Sequence, residues 1–487
     1  MTEGIIRKTF WISMFTLVLG IGASVATIHP MVGLIINVAI IFCIVYQGMH
    51  NYKMPIYFPF LLTYIFMIMS APTDFKGLPL RMGSIVIGCL YIALIQLVFN
   101  RNRLNKTILG TRKAMIANIA RQVDSLLEND YKPTLNIEMD ALVDTMAKAI
   151  YDTRLKSKHI TSANKGNLEL AMAKQQLGRV LHNFSEKEAL TEEEKELLVG
   201  IREITHLLDE YFYSDVEKNK TQQKIDEVIQ KLNVKISDKR IKEVVQTLKS
   251  FPDYLEMIED KKEHVLNTQK LTLKNGLKRI DRDTATFKFA IKMALAISLV
   301  IFLVDSFQIT YGRWIVFPMI AIIQPHYDGT VKKAIDRIIG TVIGIVLFTI
   351  LFSIVKDNSV RMNLVILLAY INLFMKKYHI STSLVAVSAL GGATMGGAGI
   401  EILAFRILFT IIGCAIALII NRYILYYTLE DFMKDLAMEY TKDVKELKLL
   451  NHTIQDEYKK YNIILKAKLM EYKINQYRRL NQDNISL

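Results

Sequence analysis

Apolar and polar residues are segregated along this chain. Few charges occur in 9–99 and 286–425, whereas 100–285 and 426–487 are rich in Lys, Glu, Asp, Gln and Asn. Because about 20 apolar residues in a helix cross the roughly 30 Å hydrocarbon core of a bilayer, the apolar regions predict membrane helices. The predicted spans are 9–28, 31–49, 55–70 and 82–99 before the polar middle, and 286–304, 312–325, 338–355, 360–375, 380–398 and 402–424 after it.

This pattern predicts an all-α integral membrane protein, a helical bundle of about ten transmembrane helices. We expect an N-terminal membrane half at 1–99, a cytoplasmic helical domain at 100–285, a C-terminal membrane half at 286–425, and a cytoplasmic helical tail at 426–487. The tail carries an apolar stripe on one helix face, which requires an apolar partner, either the inserted domain or a second copy of the chain. A homodimer is therefore expected.

Composition explains how a membrane protein can be so basic. Of the 487 residues 51% are hydrophobic, and 61 Lys and Arg exceed 47 Asp and Glu by 14. A disordered chain is excluded, because disordered chains contain few apolar residues. The excess of Lys and Arg in the loops predicts that both termini and 100–285 lie on the cytoplasmic side of the membrane. We expect that membrane to be a plasma or inner membrane. Acidic residues interleave with the basic ones, so the charge does not favour nucleic-acid binding.

Two further features limit the chemistry. A basic pair before the first span and a small-x-small pattern at its end also fit a cleaved signal peptide, so the sequence leaves open whether 9–28 stays as a helix.

The three cysteines, Cys43, Cys89 and Cys414, fall inside predicted spans. No metal-ligand spacing, catalytic set or glycine-rich phosphate loop occurs, so we expect no cofactor, no metal and no enzymatic activity.

The chain also contains an apparent internal repeat of unequal halves. Arg81 opens the fourth predicted span and Gly88 follows seven residues later, while Arg406 opens the tenth span and Gly413 follows seven residues later. On this alignment spans one to four correspond to spans seven to ten. Internal repeats are frequent in transporters, whose substrate sites lie between the repeat units.

The segment 312–344 contains signals for a broken helix. Proline lacks a backbone N–H and clashes with the preceding turn, so the sixth span should bend at Pro318 or end at Gln324-Pro325. Asp328-Gly329 is typical of a turn, and a new helix is expected near residue 330.

Arg337, about two turns into that new helix, is the leading candidate for substrate binding. A fixed guanidinium near a helix break matches the geometry of a carboxylate. The alternative is an arginine that reaches lipid headgroups or braces the preceding turn. Gly340, Thr341 and Gly344 follow, and the two glycines form a small-xxx-small pair that lets another helix approach closely.

The pattern Arg337-x-x-Gly340-Thr341-x-x-Gly344, preceded by Trp314 and Gln324-Pro325, resembles the fusaric acid resistance family, also called the aromatic acid exporter family. The order of membrane half, cytoplasmic helical insert, membrane half and charged tail is similar too. The resemblance implies efflux of aromatic or other organic carboxylates. Typical members have six spans in each half, whereas this first half contains four predicted spans.

Two other intramembrane features have competing interpretations. Glu401 and Arg406 form either an ion pair with a gating role or two solvated charges at the interface. The glycine-dense stretch 391–399 is either an unwound segment along the substrate path or a site of tight helix packing through Gly392 and Gly396.

From these features we expect a transporter that exports organic carboxylate anions without ATP hydrolysis. Its candidate substrate-binding or gating residues are Arg337, Gly340, Thr341, Gly344, Gln324, Pro325, Asp328, Glu401, Arg406 and Arg81. The alternatives are a non-transporting envelope scaffold and an organic-anion channel.

Overall fold

In a computed structural model of the chain, regular structure within the described residues is entirely helical. The described residues are 2–49, 56–69, 77–99, 103–157, 161–185, 190–213, 218–233, 239–259, 285–375, 377–395, 397, 399, 401–449, 460–461, 463–471 and 474. The all-α class predicted from the sequence is thus confirmed.

The helices fall into three groups along the chain. The first comprises α1 (Thr2–Ala26), α2 (Pro30–Met49), α3 (Tyr57–Met69) and α4 (Leu78–Phe99). The second comprises α5 (Arg103–Leu127), α6 (Thr134–Ser157), α7 (Ser162–Ser185), α8 (Glu192–Tyr213), α9 (Lys218–Asn233), α10 (Lys239–Lys249) and α11 (Phe251–Glu259). The third comprises α12 (Ala285–Ser306), a 3₁₀ helix (Gly312–Ile315), α13 (Val316–Ile322), α14 (Thr330–Ile354), α15 (Asn358–Asn372), α16 (Tyr378–Met395), α17 (Ile402–Tyr423) and α18 (Leu429–Lys448).

The chain divides into two compact units. The apolar unit consists chiefly of Phe10–Tyr91 and Leu271–Glu439, and the polar unit chiefly of Ile92–Lys270 and Tyr440–Arg478.

All ten predicted spans fall on helices, but only some of these helices are long enough to cross a membrane. Within the described residues six are sufficiently long and apolar, namely Thr9–Ala26 of α1 together with α2, α4, α12, α14 and α17. By contrast, α3 has 13 residues and α15 has 15, and α16 is rich in Ser, Thr and Gly. These six helices indicate a membrane protein. Of the roughly ten predicted spans, six therefore lie on helices that are long and apolar enough to cross a bilayer.

The core of the apolar unit forms where α12 packs along α2 and against the 3₁₀ helix and α13. Phe289, Ile297 and Met319 are fully buried there. A buried polar pair accompanies them, since the Tyr64 hydroxyl donates to the side-chain oxygen of Asn37 at 2.7 Å. Pairing satisfies both groups, which would otherwise be costly to bury in apolar surroundings.

In the polar unit α5 packs against α6, α7 and α8, and α7 also packs against α11. Part of the tail completes this unit. Leu465 and Leu469 are fully buried, and the Lys468 ammonium donates to the Gln175 side-chain oxygen at 2.9 Å. The apolar stripe of the tail was expected to pack on the inserted domain or on a second copy of the chain. At Leu465 and Leu469 it packs on the inserted domain.

Candidate functional site

The helix break predicted from the prolines is present. The 3₁₀ helix and α13 together hold eleven residues, which rise about 17 Å, roughly half of the hydrocarbon core. Helix α13 ends at Ile322, and Ile323 takes an extended conformation with φ −64° and ψ 117° just before Gln324-Pro325. Pro318 lies in the first turn of α13, where a missing N–H is tolerated. Because this helix is only half the length of a membrane span, the chain leaves the helical conformation within the apolar unit.

The linker after this break is tied to the start of α18. Gly329 has φ +74°, and the Thr330 amide closes the predicted turn by donating to the Tyr327 carbonyl at 3.1 Å. The Tyr327 amide donates to the Tyr427 carbonyl at 2.9 Å, and the Asp328 carboxylate accepts the Leu429 amide at 2.6 Å. Asp328 therefore caps α18 in this structure.

Gly340 and Gly344 lie where α14 meets α16. A Cβ built at Gly340 would lie 2.5 Å from the His379 carbonyl oxygen, and one at Gly344 would lie 2.6 Å from the Ser383 carbonyl oxygen. Real Cβ atoms do not approach so closely, so only glycine permits this helix contact. Between them Thr341 is buried, and its hydroxyl donates to the Arg337 carbonyl at 2.8 Å.

Arg337 is 9% exposed, so most of its side chain lies within the protein. It lies about 10 Å along α14 from Thr330. Its Nε has no hydrogen-bond partner among the described residues. The charges that interact with it include two other cations, Lys333 and Arg406.

Arg406, on α17, is buried more deeply at 3% exposure. Its guanidinium carbon lies 4.3 Å from the centre of the Trp314 ring and 6.0 Å from that of Phe317. Its Nε and Nη1 have no hydrogen-bond partner among the described residues. Glu401 is exposed and forms no ion pair with Arg406. Arg406 therefore stacks on an aromatic ring and does not pair with Glu401. Glu401 is exposed, as the interface interpretation expects, whereas Arg406 is buried.

Further cations extend this group toward the linker. Lys292 on α12 is 3% exposed, and sequence reasoning missed it although a lysine inside an apolar span is itself a signal. Lys292 and Lys333 both act on His326, where burial lowers the pKa of the imidazole and Asp328 opposes that shift. Within the described residues no group of three His, Cys, Asp or Glu side chains could hold a metal ion.

A cavity of about 550 Å³ lies beside Trp314. Its wall includes Thr27, Asp305, Gln308, Tyr311, Arg313 and Trp314. Arg313 Nε donates to the Asp305 carboxylate at 2.8 Å, and its Nη1 donates to the Ile68 carbonyl at 2.9 Å. Asp305 is therefore an ion-pair partner that ties α12 to Arg313.

Two predicted features lie elsewhere. The Arg81 guanidinium donates to the Met67 carbonyl at the end of α3, so the structure does not place it with Arg337. Helix α16 continues through Met395, and no atom approaches within 4 Å of a Cβ built at Gly392. Gly396, its proposed packing partner, lies outside the described residues.

Comparison with known proteins adds a family likeness. Residues 298–420 match the family described as fusaric acid resistance protein-like. An uncharacterized protein of Neisseria gonorrhoeae, ORF2, is 27% identical over 144 residues, which are 28% of this chain and 34% of that protein. An uncharacterized protein of Haemophilus influenzae is 26% identical over 163 residues, which are 31% of this chain and 22% of that protein. No solved structure matches the chain.

The chain thus covers about a third or less of the curated relatives that it matches. The family match itself spans the half-helix, both buried arginines and Trp314, but not Arg81. Residues 298–420 are therefore similar to the family described as fusaric acid resistance protein-like, the family that the pattern around Arg337 predicted.

Proposed function

We propose that the protein is a membrane transporter that exports organic carboxylate anions without hydrolysing ATP. One observation carries the proposal. Two guanidinium groups, those of Arg337 and Arg406, are buried between helices of the apolar unit, and three of their N–H-bearing nitrogens have no hydrogen-bond partner among the described residues.

Burying a charge without an opposite charge costs free energy, so membrane proteins retain such groups chiefly where the charge has a function. A carboxylate supplies the missing charge and accepts the unused N–H groups in a bidentate pair. The rings of Trp314 and Phe317 lie beside Arg406 and offer an apolar surface to the organic part of the same molecule. The likeness of 298–420 to a resistance family supports export as the direction.

A flux assay tests this proposal. The protein is reconstituted into liposomes loaded with radiolabelled benzoate, and release is followed for the native chain and for Arg337→Ala. We expect release to fall by roughly tenfold or more, because a charge-assisted hydrogen bond contributes about 1.5–3 kcal/mol.

The matched control is Arg422→Ala, which removes an exposed arginine at the end of α17. It should leave the release rate unchanged. Equal release from Arg337→Ala and the native chain, or no release by the native chain, would contradict the proposal. Conductance steps in a planar bilayer would instead identify an anion channel.

A further inference from the structure

Trp314 takes part in two features that the proposed transport function does not connect. On one side its ring is covered by the Arg406 guanidinium, whose carbon lies 4.3 Å from the ring centre. Trp314 also forms part of the wall of the 550 Å³ cavity.

The charges at Arg406 and in the cavity wall differ. Arg406 is buried, and two of its nitrogens have no hydrogen-bond partner among the described residues. In the cavity wall Arg313 is already neutralised by Asp305 at 2.8 Å. A carboxylate is therefore attracted to the Arg406 side and held only weakly on the cavity side. This asymmetry suits a binding position followed by a release position.

The backbone that carries Trp314 is fixed, so its side chain is the part that can move. Tyr311 takes a left-handed conformation with φ +57°. A Cβ built at Gly312 would lie within 3.0 Å of side-chain atoms of Ile309 and Val304. Arg313 is bonded to Asp305 and to the α3 carbonyl of Ile68.

The opposite side of the 3₁₀ helix is held by α17. A Cβ built at Gly413 would lie 2.5 Å from the Ile315 carbonyl oxygen, so the two backbones are in direct contact. The spacing between Arg406 and Trp314 is thereby set by the main chain. The cavity, at about 550 Å³, is within the size range of sites that hold drug-sized ligands, so it has room for an indole ring.

We propose that Trp314 is the gate between a carboxylate-binding position at Arg406 and a release vestibule formed by the cavity. The stack leaves Nε and Nη1 of Arg406 buried and without a hydrogen-bond partner among the described residues, and rotation of the ring into the cavity opens the way for an anion to reach and leave them. This inference rests on the proposed transport function.

Fluorescence tests the gate directly, because Trp11 and Trp314 are the two tryptophans of the chain. In a Trp11→Phe background, Trp314 emission is titrated with sodium benzoate in detergent. We expect a saturable change that Arg406→Gln shifts to roughly tenfold higher benzoate, since the ion pair is lost. Arg422→Gln, the exposed control on the same helix, should titrate as the background does. An emission that benzoate does not alter would overturn the gate.

Flux selectivity is the second measurement. Trp314→Ala should raise chloride leak relative to benzoate release by roughly tenfold, because the barrier is removed. Trp314→Phe retains a ring that can stack on the cation and should behave almost as the native chain does. If Trp314→Ala keeps native rate and selectivity, the gate is wrong although transport stands. If the native chain releases no benzoate, the proposed function fails, and the gate fails with it.

Discussion

Near their starts, helices α4 and α17 contain the segments LRMGSIVIG and FRILFTIIG, which share an arginine and a glycine seven residues apart, yet the structure uses them differently. Arg406 is 3% exposed and stacks on Trp314, whereas Arg81 is partly exposed and donates to a carbonyl at the end of α3. Gly413 contacts the Ile315 carbonyl, whereas nothing lies within 4 Å of a Cβ built at Gly88.

The difference comes from the neighbours of each helix. Helix α17 packs against α13, α14 and the 3₁₀ helix, so its arginine is enclosed by other helices. Helix α4 buries none of its residues, and apolar side chains such as Leu90 and Val98 are more than 60% exposed. Similar local patterns predict similar helices, but only the packed copy creates a site for a charge.

The largest expected effect separates the two arginines. Arg406→Gln should reduce benzoate release by roughly tenfold to a hundredfold, because the buried cation is removed. Arg81→Gln should change release less than about twofold, since Arg81 holds the end of α3. The measurement is release from liposomes at equal protein content. Equal losses in both variants would contradict this difference between the two arginines.

A second effect separates the two glycines. Gly413→Ala places a Cβ 2.5 Å from the Ile315 carbonyl oxygen, so we expect a loss of about 1–3 kcal/mol in stability. Gly88→Ala meets open space and should gain a few tenths to about 1 kcal/mol, because alanine favours a helix more than glycine does. Thermal unfolding of the purified protein in detergent measures both. Effects of the same sign would contradict the packing difference.

The polar unit also contains a buried cation, Lys174, which can be compared with Arg406. Lys174 on α7 is 2% exposed, and its ammonium has no hydrogen-bond partner among the described residues. It lies in a small cavity lined by apolar side chains such as Leu177 and Phe251. Burial, with repulsion from Arg112, lowers the pKa of Lys174 to about 7. No stacking of an aromatic ring on Lys174 is seen among the described residues, whereas Arg406 stacks on Trp314.

The smallest expected effect follows from that pKa. Between about pH 7 and pH 10 the unfolded chain holds a proton on Lys174 that the folded chain lacks, so stability rises with pH. The rise is at most about 1.4 kcal/mol per pH unit, and below pH 7 the cost of burying the charge is complete. Lys174→Met should remove this slope and stabilise the protein at pH 6.5.

Hydrogen exchange of α7 in the full protein at pH 6.5 and pH 8.5 reads this effect locally. Lys132→Met is the control, because the Lys132 side chain is 68% exposed. Protection of α7 that does not change with pH in the native chain would contradict the prediction.

The sequence predicted those features that depend on local backbone constraints. Proline chemistry located the break before Gln324-Pro325, and the spacing of Gly340 and Gly344 predicted a close helix contact. The stack of Arg406 on Trp314 could not be predicted, because 92 positions separate them and the contact depends on how α17 packs. The short helices α3 and α15 were predicted as spans because hydropathy does not show where a helix ends.

The bond between Asp328 and the Leu429 amide has a thermodynamic consequence. The first amides of a helix lack partners within the helix, and a carboxylate stabilises both their N–H groups and the positive end of the helix dipole. A movement of the 323–329 linker that withdraws Asp328 therefore removes the acceptor of the Leu429 amide and weakens the first turn of α18, which Thr428 and Asp431 also cap. Linkage is reciprocal, so any molecule that binds and stiffens that turn favours the linker position seen here.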